Sequence, residues 1–332
     1  MASPSVVGVP ELGVPFVELV GWAPFDPLEL HAAPSTVRTA NAIASRTFMR
    51  TPVSRPTVWH RSRGAFGTGT LVKARSSSGE NAAVSTDEIA SWLRAARHVV
   101  VLTGAGISTE SGIPDFRGPN GVWTKNPAAE KAAHIDHYVG DPEVRERAWQ
   151  NRVHSEVWSA EPNAGHRALA ELERKVALDA LLTQNIDGLH HAAGSSPDLI
   201  VELHGNVCEA KCLRCGWRGP MNETLDRVRA GETDPRCTEC GGILKSATVS
   251  FGENLVVADL ERAQAAAERC DLFLAIGTSL GVYPAAALPE IALHHGARLV
   301  VMNAEPTPFD PVAAAIVRTP LGEALPALVD RI

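Results

Sequence analysis

The sequence of 332 residues contains no apolar run that approaches the roughly 20 residues of a membrane-spanning helix. It also lacks the basic N-terminal stretch followed by an apolar one that forms a secretory signal. We therefore expect a protein without membrane contacts in a reducing compartment, the cytoplasm, where cysteines bind metals more often than they form disulfides. The hydrophobic share of 45% is ample for a buried core, and the length suits about two domains.

An excess of positive charge is also missing, because 31 Lys and Arg stand against 38 Asp and Glu. Residues 1–79 carry 8 basic and 4 acidic residues, which is a net charge of +4. Because the whole chain has a net charge of −7, the remaining residues have a net charge of −11. An acidic body argues against direct nucleic-acid binding, which depends on neutralising phosphates. It is compatible with a cationic partner, such as a lysine-rich segment of another protein.

Residues 1–79 show no persistent helix or strand period and are rich in Ala, Pro, Ser, Thr and Arg. No acidic residue lies between Leu30 and Gly79, which resembles an organelle transit peptide, but four acidic residues precede that stretch. We expect a disordered or non-native N-terminal extension, such as an over-extended start of translation. Organelle targeting is the alternative.

The pattern of an ordered α/β domain begins near Ser85. Ser85-x-x-Glu88 is a capping box, and the apolar residues that follow it recur at helical spacing. Five short apolar runs then alternate with helical patterns at residues 164–175 and 260–268. These runs are residues 98–103, 180–183, 199–203, 271–276 and 298–302. The alternation predicts a doubly wound, parallel, Rossmann-like sheet, whose ligands bind at the carboxyl ends of the strands.

Two stretches interrupt this alternation and predict a smaller second lobe. Residues 126–161 form a helical insert, with Trp149 and Trp158 as expected packing anchors, and residues 206–248 form a zinc-ribbon module. The Rossmann-like domain then consists of residues 80–125, 162–205 and 249–332.

Four cysteines of the second stretch, Cys212, Cys215, Cys237 and Cys240, are spaced as two Cys-x2-Cys knuckles with 21 residues between them. Two such knuckles complete the tetrahedral thiolate shell that Zn²⁺ prefers, and four protein ligands leave no open position. We therefore expect one structural Zn²⁺, with two disulfides as the alternative. Cys208 and Cys270 are interpreted as ordinary packing residues.

The ends of the apolar runs carry the candidate ligand-binding residues. Gly104-Ala105-Gly106 is a phosphate-loop signal, in which a following helix N-terminus would offer N–H groups. Thr109 stands where the dehydrogenase fingerprint has its third glycine, which argues against hydride transfer. Residues 107–118 are interpreted as an ordered lid whose Asp115, Phe116 and Arg117 face a ligand, with a surface loop as the alternative.

Polar residues follow two further runs. Gln184, Asn185 and Asp187 suggest a hydrogen-bonding pocket for a polar ligand. His204 follows another run, and this placement favours a general base with a pKa near working pH, although a structural role is about as common for a single histidine. His166, His190 and His191 lack that placement and are interpreted as structural.

Seven separated motifs together resemble those of the sirtuin family, of the bacterial type, in the family's order from about Ser85 to the C-terminus. They are residues 104–118, 183–190, His204-Gly205, the four cysteines, residues 251–253, residues 277–280, and Asn303-x-Glu305. The resemblance implies an NAD-dependent protein lysine deacylase. Such an enzyme transfers the acyl group of a lysine to ADP-ribose and releases nicotinamide, so that O-acyl-ADP-ribose and free lysine are formed.

The resemblance also assigns roles to individual residues. It implies that His204 is the general base and that Asn185 and Asp187 are further catalytic residues. The implied NAD-binding residues are Gly104, Ala105, Gly106, Asp115, Phe116, Arg117, Gln184, Asn185, Ile186, Asp187, Gly277, Thr278, Ser279, Asn303 and Glu305. The implied substrate-binding residues lie on two edges between which an acyl-lysine peptide adds as a strand, and are Val249, Phe251, Gly252, Glu253, Gly281 and Val282.

Departures from the family pattern bear on specificity. Sirtuins that prefer succinyl or malonyl groups carry Tyr-x-x-Arg, whereas this chain has Trp149-Gln-Asn-Arg152. We therefore expect neutral acyl groups. The lid residues 118–123 resemble a slower-deacetylating branch with reported ADP-ribosyl transfer. A mono-ADP-ribosyltransferase on the same NAD site is thus one alternative, and a non-catalytic NAD sensor or zinc-ribbon binding module is another.

Overall fold

A computed structural model describes residues 84–119, 121–125 and 133–332. The predictions for residues 1–79 and for residues 126–132 of the helical insert lie outside the described residues. None of the described helices is long and apolar enough to cross a membrane.

Among the described residues, nine strands form two sheets and ten α-helices surround them. The strands are β1 (Val99–Thr103), β2 (Leu178–Thr183), β3 (Ile200–Glu202), β4 (Gly205–Cys212), β5 (Arg218–Pro220), β6 (Leu244–Thr248), β7 (Leu272–Ile276), β8 (Arg298–Met302) and β9 (Ala315–Val317). The helices are α1 (Thr86–Ala95), α2 (Val122–Lys125), α3 (Ile135–Gly140), α4 (Pro142–Val153), α5 (Ala164–Lys175), α6 (Leu189–Ala192), α7 (Met221–Arg229), α8 (Val257–Arg269), α9 (Leu288–His294) and α10 (Leu321–Val329).

The larger sheet has six parallel strands in the order β3-β2-β1-β7-β8-β9. The order reverses between β1 and β7, which is the switch point of a doubly wound sheet. The three-stranded sheet β5-β4-β6 is antiparallel and belongs to the cysteine-containing module. The predicted fold class, a parallel Rossmann-like sheet with a smaller lobe, is confirmed.

Both faces of the large sheet are buried, which explains why its strands read as apolar runs. Every residue of β1 is buried, and alternate residues face opposite sides. Val99 and Val101 join a core with α1, α5 and α10, while Val100 and Leu102 join a second core with α8 and α9. Helices on both faces therefore cover the sheet and leave its carboxyl edge available for a site.

N-cap side chains mark the starts of α1 and α5. Ser85 caps α1 by accepting a hydrogen bond from the Glu88 N–H, as the capping box predicts. Asn163 caps α5, and its side chain also donates to the carbonyl of Ile107 at 2.7 Å. The cap therefore ties the start of α5 to the loop after β1.

The small lobe packs around Trp149, which is fully buried against the cysteine-containing module. The prediction that Trp158 is a second packing anchor is wrong, because its side chain is 40% exposed. Trp158 lies in a short 3-10 turn, and its indole N–H donates to the carbonyl of Arg152. One polar contact therefore orients it without burying it.

Candidate functional site

The strand ends that carry the predicted ligand-binding residues lie side by side. Thr103, the last residue of β1, is in register with Thr183 of β2 and with Ile276 of β7, and Ile276 is in register with Met302 of β8. The strands are parallel, so the residues that follow them share one edge of the sheet. These residues begin at Gly104, Gln184, Gly277 and Asn303. The fifth cluster, His204-Gly205, follows β3, which is parallel to β2 and in register with it, so the structure brings all five predicted clusters to this edge.

The glycines at this edge allow the loops after β1 and β7 to touch. The Gly106 N–H donates to the carbonyl of Gly277 at 2.8 Å, and a Cβ on Gly106 would lie 2.8 Å from the Gly277 Cα. Gly277 has a φ of +61°, and a Cβ there would lie 2.5 Å from the Ile107 nitrogen. Any side chain at either position would push the loops apart. The result is a backbone-lined floor, as phosphate-binding loops require.

The loop after β1 differs from the expectation in one respect. Two 3-10 turns, Ala105–Ile107 and Thr109–Ser111, follow Gly104 in place of an α-helix. They carry no helix macrodipole of useful length. An anion at this loop would therefore meet no helix end, and the N–H groups of Gly104, Gly106 and Ile107 donate to backbone carbonyls.

The predicted lid is ordered by an aromatic residue that the sequence did not single out. Trp123 stacks on Phe116 with ring centroids 4.7 Å apart and lies 5.3 Å from Phe251, while the Arg117 guanidinium lies 4.5 Å above its indole. Asp115 closes a turn by accepting from the Gly118 N–H at 3.0 Å. Phe116 remains 41% exposed. Trp123 therefore joins a residue expected on the cofactor side to one expected on the substrate side.

Ser108 links the lid to the polar cluster after β2. It accepts a hydrogen bond from Asn185 Nδ2 at 3.1 Å and donates to Asp187 Oδ2 at 2.7 Å. The other Asp187 oxygen accepts the Leu189 N–H at 2.9 Å. Gln184 turns toward β7 instead and donates to Thr278 Oγ1 at 2.9 Å. Ser108 lies within the predicted lid, but a serine has no pattern that would have marked it as the junction.

Two buried histidines support this cluster from below. His190 Nε2 lies 2.9 Å from Thr103 Oγ1, which donates to Thr183 Oγ1 at 2.8 Å. His166 Nε2 lies 3.4 Å from Ser108 Oγ. Burial lowers the pKa of His166 to about 4 and that of His190 to about 3, so both rings are neutral at working pH. Both lie within the fold, whereas His191 is half-exposed beside Glu202.

His204 is oriented by a backbone carbonyl. Its Nδ1 lies 3.0 Å from the carbonyl oxygen of Gln184, which can only accept, so Nδ1 carries the proton. Nε2 then keeps its lone pair. Burial lowers the pKa of His204 from its usual value, against the opposing effect of that hydrogen bond. The ring is therefore a neutral base with a defined tautomer, as proton abstraction requires.

The predicted substrate-binding residues fall in two segments. The first, residues 249–254, is named here the peptide segment. Its Val249 N–H donates to the carbonyl of His204 at 2.8 Å, and Phe251 pairs with the chain around His134. Gly252 has a φ of +84°, and a Cβ there would lie 2.6 Å from the His134 ring. The second segment contains Gly281, Val282 and Tyr283, of which Tyr283 is 62% exposed.

Asn303 and Glu305 lie after β8, at the far side of the switch point. The Asn303 side chain donates to the carbonyl of Glu305 at 2.8 Å, and Arg318 donates to the carbonyls of both residues. The loop is therefore held by its own backbone and by Arg318. The exposed carboxylate of Glu305 is left outside these contacts.

The four cysteines form one cluster whose sulfur atoms all lie within 4.8 Å of one another. Cys212 and Cys240 are 3.5 Å apart at sulfur, and Cys215 and Cys237 are 3.7 Å apart. Thiolates bound tetrahedrally at 2.3 Å to Zn²⁺ stand about 3.8 Å apart, so the geometry fits the ion. All six cysteines are free, which excludes the two-disulfide alternative in this structure. Cys270 is buried as expected, but the packing role predicted for Cys208 is wrong, because Cys208 is exposed.

A tyrosine lies beside Arg152, although not at the position that the family pattern uses. The Arg152 guanidinium lies 5.6 Å from the ring of Tyr138 and 5.0 Å from that of Trp149, and its Nη2 donates to Ser246 Oγ at 3.2 Å. The Tyr138 hydroxyl donates to the carbonyl of Leu244 at 2.7 Å, and burial raises its pKa to about 12. A tyrosine therefore lies near Arg152, although the Trp149-Gln-Asn-Arg152 pattern has no tyrosine at the family's position.

Comparison with known proteins identifies the family. Residues 104–284 match the Sir2 family model. The NAD-dependent protein deacetylase 2 of Streptomyces coelicolor is 54% identical over 231 residues, which cover 70% of this chain and 96% of that protein. The NAD-dependent protein deacetylase 1 of Bradyrhizobium diazoefficiens is 43% identical over 72% of this chain and 93% of that protein.

Solved structures agree with these relatives. A Sir2 structure with deacetylated p53 peptide and 3'-O-acetyl ADP-ribose has a TM-score of 0.69 and 38% identity, and covers 74% of this chain and 97% of that chain. A Sir2 structure with p53 peptide and NAD⁺ has a TM-score of 0.67 and 37% identity, and covers 74% and 98%. With the switch-point site, the oriented histidine and the cysteine cluster in place, the chain belongs to the Sir2 family, the sirtuins.

Proposed function

We propose that this protein is an NAD-dependent protein lysine deacetylase, which transfers the acyl group of a modified lysine to ADP-ribose and releases nicotinamide. The observation that carries the proposal is the His204 ring. Its Nδ1–H is held by the Gln184 carbonyl, its Nε2 is available as a base, and its own carbonyl accepts from the peptide segment. One residue thus joins the cofactor cluster to the substrate edge.

The loops at the switch point would hold NAD. Gly104, Ala105 and Gly106, facing Gly277, form a floor without side chains, to which the phosphates can come close. The N–H groups of Gly104 and Gly106 donate to the carbonyls of Ile276 and Gly277, so these bonds hold the floor in place. Thr278, Ser279, Asn303 and Glu305 would face the adenosine ribose, and Arg117 would balance phosphate charge. The nicotinamide end would then point toward the polar cluster, with Phe116 as its guard.

The polar cluster would hold the nicotinamide ribose and carboxamide. Ser108, Asn185 and Asp187 form one hydrogen-bonded unit, so their oxygen and nitrogen atoms are held in place before a ligand arrives. The carbonyls of Gln184 and Ile186 bind His204 Nδ1 and the Val207 N–H, and Asp115 stabilises the lid by accepting from the Gly118 N–H. Such preorganisation lowers the cost of orienting a reacting ribose.

NAD supplies the ribose carbon that the acyl oxygen attacks and the ribose hydroxyl that finally carries the acyl group. The acyl oxygen is itself the nucleophile, so no side chain of the protein has to act as one. Asn185 and Asp187 orient the ribose, and His204 Nε2 removes a proton from its hydroxyl. Because the neutral tautomer already exists at working pH, His204 needs no prior deprotonation.

The substrate would be an acyl-lysine peptide that adds as a strand beside the peptide segment. The substrate-binding residues of the sequence analysis, Val249, Phe251, Gly252, Glu253, Gly281 and Val282, remain the proposed contacts. Phe251 meets the aromatic lid through Trp123, which supports an apolar channel for a neutral acyl chain. The acidic body of the chain is compatible with lysine-rich substrates and supports no direct binding of nucleic acid.

The cysteine cluster would hold one structural Zn²⁺. All four ligands come from the protein, so no position is left for a substrate or a water. Cysteines that bind a metal are more typical of a reducing compartment than disulfides are, and we propose the cytoplasm for this protein.

The test is product analysis of a panel of acetyl-, propionyl- and succinyl-lysine peptides with NAD. We expect O-acyl-ADP-ribose and nicotinamide in equal amounts for the neutral acyl groups. ADP-ribose attached to protein, with the peptide still acylated, would instead support the mono-ADP-ribosyltransferase. Succinyl turnover above acetyl turnover would mean that Arg152 and Tyr138 read a carboxylate.

A further inference from the structure

Two lysines face each other across the small sheet. Lys211 of β4 and Lys245 of β6 are directly paired in antiparallel register, and Lys245 is only 1% exposed. Like charges directly opposite each other destabilise a sheet, and an unpaired buried ammonium costs several kcal/mol. The pairing of these strands therefore requires an anion at this position.

Glu253 of the peptide segment supplies that anion. Its Oε1 lies 3.2 Å from Lys211 Nζ, and its Oε2 lies 2.7 Å from Lys245 Nζ. Oε2 also accepts the Ser250 N–H at 2.8 Å. Burial would raise the pKa of Glu253, but hydrogen bonds from Lys245 and Ser250 hold it below the usual value. Both carboxylate oxygens are thus engaged inside the protein.

The same contacts fix the backbone of the peptide segment. Lys245 Nζ donates to the carbonyl of Thr248 at 2.7 Å, just before the segment begins. The Glu253 N–H donates to the carbonyl of Ser250 at 3.0 Å, which closes a turn through Gly252. The Val249 N–H meanwhile donates to the carbonyl of His204. The segment is therefore anchored to β6 by charge and to the proposed base by its backbone.

We propose that Lys245, together with Lys211, is a positioning residue for the peptide substrate. Through Glu253, the two lysines hold the peptide segment in the conformation to which an acyl-lysine peptide adds. Glu253 then acts through the backbone of the segment and makes no side-chain contact with the substrate. This inference rests on the proposed deacetylase function.

Kinetics of Lys245→Met, Glu253→Gln and the double variant test the inference. We expect each single change to raise the peptide KM about tenfold, which corresponds to about 1.4 kcal/mol, with the KM for NAD unchanged. The peptide KM of the double variant should be no higher than that of the more impaired single variant, because both changes break the same Lys245–Glu253 ion pair. Glu209→Gln, which breaks the exposed pair with Arg218 in the same sheet, is the control and should change neither KM.

Peptides of opposite flanking charge separate positioning from direct contact. If Glu253 only positions the segment, Glu253→Gln raises the KM by the same factor for peptides flanked by Lys and for peptides flanked by Glu. A factor that follows the peptide's charge would show that the carboxylate touches the substrate and would overturn the inference. Lys211→Met, on the more exposed side of the carboxylate, replaces Lys245→Met if the latter fails to fold.

Hydrogen exchange gives a readout that needs no activity. In Glu253→Gln we expect faster exchange at the Ser250 and Glu253 amides, with the β1 amides unchanged. Unchanged protection in the peptide segment would overturn the inference even in an active enzyme. Faster exchange there, with a wild-type protein that leaves acyl peptides intact, would show that Glu253 anchors the peptide segment but would overturn the proposed function and, with it, the role in positioning an acyl-lysine substrate.

Discussion

At the scale of single residues, the site depends on atoms that are absent as much as on those present. Gly106 and Gly277 let two loops approach so closely that no Cβ fits between them. His204 keeps one ring nitrogen available because the Gln184 carbonyl binds the other. Ser108 connects two loops through one hydroxyl that both donates and accepts. One substitution can therefore remove the loop contact, the available ring nitrogen or the bridging hydroxyl.

Gly106→Ala should weaken NAD binding more than tenfold and lower the melting temperature. The new Cβ would lie 2.8 Å from the backbone of Gly277, so the loops after β1 and β7 must separate. Calorimetric titration with NAD and a thermal melt measure both effects. Gly140→Ala is the control, because nothing lies within 4 Å of a Cβ at that position. An unchanged NAD affinity in Gly106→Ala would contradict the proposed phosphate floor.

Stability should fall as the pH drops below the ordinary histidine pKa. His166 and His190 have folded pKa values of about 4 and about 3, lower than the unfolded value of 6.5. The unfolded chain therefore binds more protons below pH 6.5, and each buried ring removes up to about 1.4 kcal/mol of unfolding free energy per pH unit. The contribution is fully present above pH 6.5 and is lost progressively as the pH falls toward the folded values.

Urea unfolding at several pH values between 7.5 and 4.5 measures this slope. His190→Gln keeps a side chain that can hydrogen-bond but cannot titrate, so its slope should be shallower than that of the wild type by up to about 1.4 kcal/mol per pH unit. Gln150→Asn, at an exposed and non-titrating position of α4, should leave the slope unchanged. Equal slopes for all three proteins would show that His190 is not buried in the neutral form.

Sequence alone predicted the site residues that end strands, because an apolar run followed by a polar cluster is visible in one dimension. It missed Ser108 and Trp123, whose partners Asp187 and Phe251 lie far away in the chain. It also missed Lys245, because only the pairing of β4 with β6 places Lys211 opposite it. Trp123, for example, meets Phe251, a contact between two loops that are distant in the sequence. Cys208 and Trp158 failed for a related reason, since residue type predicts average burial and not local exposure.

At the scale of elements, the cysteine-containing module folds around its metal site. β4, β6 and α7 pack on Trp149 and on the buried Cys212 and Cys237, a core too small to be stable without further support. Four thiolates within 4.8 Å would repel one another without a cation. Metal binding is therefore part of the folding free energy of this element.

Removal of zinc should lower the melting temperature and expose the small sheet to hydrogen exchange first. A strong chelator removes the ion, and Cys237→Ser removes one of its ligands. Zinc analysis measures the loss of the metal, and a thermal melt measures the loss of stability. Cys208→Ser changes an exposed thiol outside the cluster and should be neutral. A chelated, zinc-free protein with the original melting temperature would contradict the structural role.

Most elements of the large domain were predictable, because buried strands and amphipathic helices differ in period. The predicted helix 164–175 and strand 298–302 coincide with α5 and β8. The 3-10 turns after β1 were not predictable, since the close contact with Gly277 and the Asn163 cap, both distant in sequence, hold that loop. Tertiary contacts decide such short pieces more than local propensity does.

At the scale of the whole molecule, the order of the strands creates the site. Sequence could indicate a parallel sheet but not that β1 lies between β2 and β7, which is what brings Gly106 to Gly277 and Gln184 to Thr278. The small sheet begins at Gly205, directly after His204, and its last strand leads into the peptide segment. The proposed base, His204, therefore lies where the chain passes from the large sheet to the small one.

The most direct test of the account follows one acetyl-lysine peptide by mass spectrometry with wild-type protein and with His204→Ala. With NAD, the wild type should remove the acetyl group and form O-acetyl-ADP-ribose. His204→Ala should lose at least a hundredfold in rate, as expected for a general base, while NAD still binds by titration. Full activity in His204→Ala, or a wild type that leaves the peptide acetylated in the presence of NAD, would contradict the central claim.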